Sequence, residues 1–258
     1  MENFIHQTAA NGFQLGAEVY ERGRPAYPDL VINLICATNP DLCQKTIVDL
    51  AAGTGKFTRM LVSAGAKLVT AIEPVESMRR KLYSIPNIAV LNGTAENIPL
   101  VDNSADIVTV AQAFHWFNGV AALEEIYRVL KPDGKLYLLW NLRDDDTCPW
   151  LQDMTKIIDK WQPKDHPHFK TMKWLKVFED NSLFSSFSYE RFSHDQCVTL
   201  DILFNRILSS SFISILDDKK KQILLQEVKA FLEQNAQTKE KTKFFVPYMT
   251  HVYWCQRL

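Results

Sequence analysis

Several features that mark other classes of protein are missing from this chain of 258 residues. Lysine and arginine (29) balance aspartate and glutamate (30), so the sequence lacks the basic surface typical of nucleic-acid binders. No run approaches the roughly 18 apolar residues that a bilayer-crossing helix needs. The N-terminal residues also lack the charged-then-apolar layout of a signal peptide. We therefore expect a cytoplasmic protein with no nucleic-acid or membrane partner.

The cysteines form no recognisable framework. They are five in number, far apart, and include no C-x-x-C pair: Cys36, Cys43, Cys148, Cys197 and Cys255. This spacing favours reduced thiols over disulfides or a zinc site, and we expect no bound metal. A hydrophobic content of 47% is ample for a packed core in a chain of this length.

A strand, a glycine turn and a helix follow one another between Thr46 and Leu61. Asp49 stands near the end of the strand, and Gly53 and Gly55 lie in the turn. A second apolar strand, 68–72, ends in Glu73. A glycine turn lets a ligand approach bare backbone, and a carboxylate can accept hydrogen bonds from both hydroxyls of a ribose. The two strand ends therefore predict a nucleoside site.

Two cofactor classes use such a turn. Dinucleotide binding favours G-x-G-x-x-G, but Thr58 occupies the position of the third glycine. An acid at the position of Asp49 also has no role in dinucleotide binding. A carboxylate at Asp49 suits a ligand with a cationic amino-acid end. The pattern D-x-A-x-G-x-G resembles motif I of class I S-adenosylmethionine-dependent methyltransferases. Ala51 replaces the first glycine of that motif; its methyl group is tolerated if φ is negative there, and it narrows the space beside the methionine moiety. The alternative interpretation is a plain βαβ turn without a ligand.

Other segments carry the same resemblance. Y-x-x-x-R-P-x-Y-P at 20–28 is similar to small-molecule methyltransferases related to trans-aconitate methyltransferase, in which this segment closes over the methionine end of the cofactor. GTAENIPL at 93–100 is similar to the adenine loop, and R-V-L-K-P-x-G-x-L at 128–136 to a further family signature. Arg22 is a less favoured substitute for Arg24. The resemblance implies that S-adenosyl-L-methionine is bound by Tyr20, Arg24, Asp49, Ala51, Gly53, Gly55, Glu73, Pro74, Met78, Thr94, Ala95, Glu96, Ala111 and Gln112.

The reaction edge is predicted at the end of the fourth strand, in the segment 111–117. His115 is the candidate catalytic base for an acceptor that must lose a proton, and its alternative role is to order the loop. Trp116 and Trp140 are candidate substrate residues. Two of the predicted cofactor residues have an alternative structural role: Met78 as a packing residue between helix and sheet, and Glu96 as an acid at the start of a helix.

Alternating strands and helices predict an α/β fold with a doubly wound, mostly parallel, seven-stranded sheet. We expect a single domain over 1–258, with a lid segment (1–30), a cofactor-binding core (31–141), cap helices with the sixth strand (142–242) and a last antiparallel strand (243–258). The cap lies between strands five and seven.

The predicted function is methyl transfer by in-line displacement to a small molecule through a carboxylate, hydroxyl, amine or thiol. A cofactor-binding module without turnover and, less favoured, a nucleotide-dependent dehydrogenase are the alternatives. We expect a monomer or weak dimer.

Overall fold

The computed structural model describes residues 17–163, 166–179 and 181–258. Seven strands of this part form one sheet. The strands are β1 (Thr46–Leu50), β2 (Leu68–Ile72), β3 (Ile88–Leu91), β4 (Ala105–Ala111), β5 (Leu130–Arg143), β6 (Ser188–Val198) and β7 (Phe244–Gln256). The α-helices are α1 (Ala17–Gly23), α2 (Asp29–Thr38), α3 (Lys56–Ser63), α4 (Glu76–Leu82), α5 (Gly119–Val129), α6 (Pro149–Asp159), α7 (Lys176–Glu179), α8 (Leu200–Leu208), α9 (Ser211–Ser214) and α10 (Asp218–Gln234).

The strand order is β3-β2-β1-β4-β5-β7-β6. The first five strands in this order are parallel, and β7 runs antiparallel to both β5 and β6. This confirms the predicted doubly wound α/β sheet with an antiparallel last strand near its edge. The order reverses between β1 and β4, so the crevice for a ligand lies at the carboxyl ends of those strands.

Both faces of the central strands are buried, which explains their nearly unbroken apolar runs. Successive residues of one strand, such as Ile47 and Val48 on β1, point to opposite faces. Val48 joins a cluster that includes Leu123 and Ile126 of α5, whereas Ile47 joins one that includes Ile35 of α2.

The cap has its own apolar cluster. Met154 of α6, Ile207 of α8 and Val228 of α10 meet there beside Val246 of β7. Two predicted helices are shorter in the structure. The patch at 172–180 holds a 3-10 turn (Lys173–Leu175) and the four-residue α7, and residue 180 lies outside the described part.

The patch at 200–215 is divided into α8 and α9. The Ser209 hydroxyl donates to the carbonyl of Arg206 at 2.7 Å, a local bond that competes with helix continuation.

The predicted lid helix over 13–20 is seen from Ala17 as α1, and residues 13–16 lie outside the described part. Helix α1 lies against α8. A Cβ on Gly23 would lie 2.3 Å from the backbone nitrogen of Arg206, so only glycine permits this approach. The contact brings the lid segment and the cap together above the sheet.

Two kinds of feature are absent from the described residues, a membrane-spanning helix and a cluster of metal ligands. None of their helices combines the length and apolar character needed to cross a membrane. Within the same ranges, no group of three or more His, Cys, Asp or Glu side chains could hold a metal ion.

Candidate functional site

Two adjoining cavities lie at the carboxyl ends of β1, β2 and β4, with volumes of about 100 Å³ and about 40 Å³. We call the larger one the nucleoside cavity and the smaller one the tail cavity. Of the predicted cofactor residues, the nucleoside cavity is lined by Tyr20, Ala51, Gly53, Glu73, Pro74, Met78, Thr94, Ala95, Glu96, Ala111 and Gln112. The tail cavity is lined by Tyr20, Arg24, Ala51, Gly53, Ala111 and Gln112 from the same set. Tertiary structure thus brings most of the predicted positions together.

Glu73 is held at the wall of the nucleoside cavity by two backbone donors. Its Oε2 accepts from the Gly53 N–H at 2.8 Å and its Oε1 from the Val75 N–H at 2.8 Å. Burial raises the pKa of this carboxyl to about 7, although the two N–H groups favour its charged form. Each oxygen can accept further hydrogen bonds, so the fixed carboxylate suits a vicinal diol.

The two groups predicted to meet an adenine ring also line this cavity. Met78 is 3% exposed and Ala95 is likewise buried at 3%. Glu96 accepts from the Asn118 N–H at 2.9 Å, which ties the loop to the start of α5. This hydrogen bond fits the alternative role of Glu96 as an acid at the start of a helix. Glu96 also lines the cavity, so it can contact the cofactor as well.

Asp49 lines neither cavity, contrary to the prediction that it meets a cationic group directly. It is 1% exposed, and its oxygens accept from the hydroxyls of Thr58 at 2.6 Å and Thr109 at 2.9 Å. Burial raises its pKa to about 6, against these two hydrogen bonds. Asp49 therefore ties β1 to α3 and β4. Thr58, which replaces the third glycine of the dinucleotide pattern, is one of its partners.

The turn after β1 holds Ala51 in an unfavourable backbone conformation. Ala51 has a φ of +55°, not a negative value, and so stands in the left-handed region that its motif normally reserves for glycine. Gly55 has a φ of +84° and lines neither of these two cavities; a Cβ there would lie 2.4 Å from Ile85 Cδ1. Gly55 is thus a packing position. Gln112, at the end of β4, also has a positive φ of +66°.

A third cavity of about 230 Å³ lies beneath the cap, and we call it the acceptor cavity. It shares Tyr20, Arg24 and Gln112 with the tail cavity, so the two adjoin. His115, Trp116 and Trp140, predicted at the reaction edge, all line it.

His115 is held by a neighbouring indole. Trp140 Nε1–H donates to His115 Nδ1 at 3.1 Å, so Nε2 carries the proton of the neutral ring. Burial, with smaller contributions from His166 and His168, lowers the pKa of His115 to about 3. The ring is therefore neutral at physiological pH and offers a hydrogen-bond donor.

Sequence reasoning missed most of the acceptor cavity. Asn141 and Arg143 follow Trp140 at the carboxyl end of β5, a position that could have signalled them. No local pattern marks the lining residues that come from the cap: Asp145, Thr155, Ile158, Asp159, Gln162, His166, Pro167, His168, Phe169, Lys170, Arg206, Ser210, Ser211 and Phe212.

The chain resembles known proteins along most of its length. Residues 48–138 match the methyltransferase domain family. An uncharacterized methyltransferase-like protein of Schizosaccharomyces pombe is 38% identical over 232 residues, covering 88% of this chain and 86% of its own. An uncharacterized methyltransferase of Mycobacterium tuberculosis is 43% identical over 58% of each chain. The solved structure of a putative type II methyltransferase from Anaeromyxobacter dehalogenans has a TM-score of 0.69 at 16% identity, covering 91% of this chain and 97% of its own, which shows a shared fold.

Proposed function

Because this chain belongs to the class I S-adenosylmethionine-dependent methyltransferases, we propose that it methylates a small molecule bound in the acceptor cavity. The observation that carries this proposal is the adjoining arrangement of the acceptor and tail cavities, with Gln112 at the wall of both. The volume of about 230 Å³ is below the roughly 300–1,000 Å³ of drug-sized ligand sites, which favours a small acceptor.

The cofactor residues fit S-adenosylmethionine in their chemistry. Glu73 would accept from the ribose hydroxyls, because its carboxylate is fixed by backbone donors and faces the nucleoside cavity. Met78 and Ala95 would contact the adenine. Tyr20 and Arg24 would hold the methionine end, where an arginine can pair with the carboxylate. Asp49 would act indirectly, by fixing the turn through Thr58.

When bound, S-adenosylmethionine supplies a methyl group already activated by a sulfonium. The protein's task is then to align the acceptor and to exclude water. Trp140 and the cap close the acceptor cavity on one side, and Gln112 is fixed by donating from Nε2 to the Asn141 carbonyl at 3.0 Å. We infer that His115 orients the acceptor as a donor from Nε2, since a ring with its Nδ1 engaged and its pKa so low is a poor proton acceptor.

Isothermal titration with S-adenosylhomocysteine and, separately, with NADH tests the cofactor part of the proposal. We expect a dissociation constant in the micromolar range for the first and no measurable binding of the second. Tighter binding of NADH than of S-adenosylhomocysteine would indicate a dehydrogenase and contradict the proposal.

Turnover tests the rest. The protein is incubated with S-adenosylmethionine carrying a labelled methyl group and a pool of small metabolites. We expect labelled product together with S-adenosylhomocysteine. Cofactor binding without turnover across acids, alcohols, amines and thiols would instead identify a binding module.

A further inference from the structure

We propose that the acceptor is a small organic dianion whose oxyanion groups are bound by Arg143 and Arg206, beside Arg24, which the proposed function assigns to the methionine end of the cofactor. This inference rests on the proposed function, because it names the class of molecule that occupies the acceptor cavity. The three arginines come from the lid segment, the end of β5 and helix α8, and all three line this one cavity.

None of these arginines forms an ion pair with a carboxylate among the described residues, and the charges of Asp145 and Asp159 act on Arg143 only from farther away. Arg24 donates from Nε to the Ser209 hydroxyl at 3.1 Å and from Nη2 to the Ser209 carbonyl at 3.2 Å. Arg206 makes one long contact, 3.4 Å from Nη1 to Ser210 Oγ. By contrast, Arg128, outside the cavity, forms ion pairs with both Glu125 and Asp102. Guanidinium groups placed near a cavity without such partners are poised to bind a ligand's oxyanions.

Helix α8 supplies the clearest sign of a missing partner. Arg206 is only 9% exposed, and its Nε is buried without a hydrogen-bond partner in the described structure. The hydroxyl of Thr155, which lines the same cavity, is also buried and unpartnered. Native proteins rarely leave such groups unsatisfied, because burial without a partner is costly. A ligand with several acceptor oxygens would satisfy both.

The arginines also repel one another in the free protein. Burial, followed by the charge of Arg206, lowers the pKa of Arg24 to about 10. The same two causes, in the same order, lower the pKa of Arg143. An anion bound among them would relieve this repulsion.

The charge lining the cavity is unbalanced. Its described lining includes four cationic side chains (Arg24, Arg143, Arg206 and Lys170) and two acidic ones (Asp145 and Asp159). Asp145 is already paired with Lys170 at 3.0 Å. Burial raises the pKa of Asp159, and the charge of Arg143 acts in the opposite direction; even with both acids counted as charged, the four cations exceed them by two. An excess of two positive charges matches a dianion and disfavours a cationic amine.

Calorimetry on the protein saturated with S-adenosylhomocysteine tests the class of acceptor. The probes are glutarate, its neutral analogue glutaramide, 1,5-diaminopentane and glycerol 3-phosphate. We expect glutarate to bind about tenfold to a hundredfold more tightly than glutaramide. Stronger binding of glycerol 3-phosphate would support the anion site and assign it to a phosphate monoester. Equal binding of glutarate and glutaramide, or a preference for the diamine, would overturn the inference.

Substitutions identify the residues. Arg143→Gln and Arg206→Gln should each weaken glutarate binding about tenfold and leave S-adenosylhomocysteine binding within about twofold of the parent. Arg191→Gln, an exposed arginine of β6 outside all three cavities, is the matched control and should change neither affinity. Glutarate binding that survives both cavity variants would assign the anion to other residues and contradict the proposal.

Thermal unfolding of the ligand-free protein separates a binding role from a structural one. Removing an unpartnered buried charge should raise the melting temperature of Arg206→Gln, whereas a structural arginine would leave it lower. If the parent fails to bind S-adenosylhomocysteine at all, the proposed function fails; if it binds S-adenosylhomocysteine but does not distinguish anions, only the present inference fails.

Discussion

The cofactor cavities and the acceptor cavity are built in different ways. At the nucleoside cavity, Glu73 already has two backbone partners in the free protein. At the acceptor cavity, Arg206 Nε and the Thr155 hydroxyl have none among the described residues. The nucleoside cavity therefore presents a carboxylate already fixed in position to accept hydrogen bonds, whereas the acceptor cavity presents buried donors that have no acceptor among the described residues. We infer that the fold fixes the cofactor site by itself, while the acceptor site is completed by its ligand.

The two regions also differ in their origin along the chain. Glu73 and the turn at 51–55 come from consecutive strand–turn–helix units, in which each motif is local. Arg24, Arg143 and Arg206 come from segments far apart and meet only because α1 lies against α8. The predictions that follow test this contrast between the cavities, from the largest expected effect to the smallest.

Glu73→Ala should have the largest effect and should act on one cavity alone. Loss of a charged acceptor for two ribose hydroxyls should cost about 3 kcal/mol, or roughly a hundredfold in S-adenosylhomocysteine affinity by calorimetry. Glu76→Ala, an exposed acid at the start of α4 that pairs with Arg80, is the control and should leave affinity unchanged. An affinity for Glu73→Ala near that of the parent would remove the ribose assignment.

Cofactor affinity should also depend on pH. The pKa of Glu73 is about 7 in the free protein, and hydrogen bonds from a diol favour its charged form. Affinity for S-adenosylhomocysteine should therefore rise about tenfold between about pH 6 and about pH 8, with net proton release. Calorimetry in buffers of different ionisation enthalpy measures that release. A flat profile in the parent would contradict the assignment, and Glu73→Gln should flatten it.

The same group acts in the opposite direction on stability. The folded state keeps a proton that the unfolded carboxylate loses above its ordinary pKa of 4.5, so the free energy of unfolding should fall from about pH 4.5 to about pH 7. Glu73→Gln should lose this part of the pH dependence in denaturant titrations, because glutamine does not ionise. A parent-like slope in that variant would assign the effect to another buried acid.

Ala51→Gly should have a smaller effect, and it should act on the free energy of unfolding by removing backbone strain in the turn beside the cofactor cavities. Ala51 has a φ of +55°, where an alanine is disfavoured by about 1–2 kcal/mol, and glycine regains this less its greater unfolded-state entropy. We expect a gain of up to about 1 kcal/mol in the free energy of unfolding. Ala52→Gly is the matched control: Ala52 does not have a positive φ, so glycine should destabilise. Equal effects of the two variants would contradict the strain argument.

His115 should show no titration at all. With its pKa lowered to about 3, its ring should stay neutral from about pH 5 to about pH 9, protonated on Nε2. Long-range proton–nitrogen NMR spectra measure both the charge and the tautomer. Trp140→Phe removes the indole donor and should release the fixed tautomer. A midpoint near the ordinary value of 6.5 in the parent would restore His115 as a candidate base.

Much of the fold was predictable because its signals are local. Apolar runs at 46–50, 68–72 and 107–111 predict strands buried on both faces, and the structure contains them in β1, β2 and β4, the last of which begins two residues earlier, at Ala105. The break in the helical patch at 200–215 was not predicted from the sequence. It occurs at Ser209, whose hydroxyl donates a hydrogen bond to the carbonyl of Arg206. The positive φ of Ala51 could not be read from the sequence, because residue type restricts a dihedral angle without fixing it; here the turn geometry overrides the preference of alanine.

The sequence by itself determined the class I methyltransferase core and the strand-end residues that surround the nucleoside cavity. Strands and glycine turns are determined by residues close together in the chain, so they can be predicted from the sequence alone. Only the tertiary structure decided that Asp49 binds two threonines, that Trp140 fixes His115 and that three arginines converge. Burial and mutual repulsion depend on distances between remote segments, and these exist only once the lid and the cap have closed over the sheet.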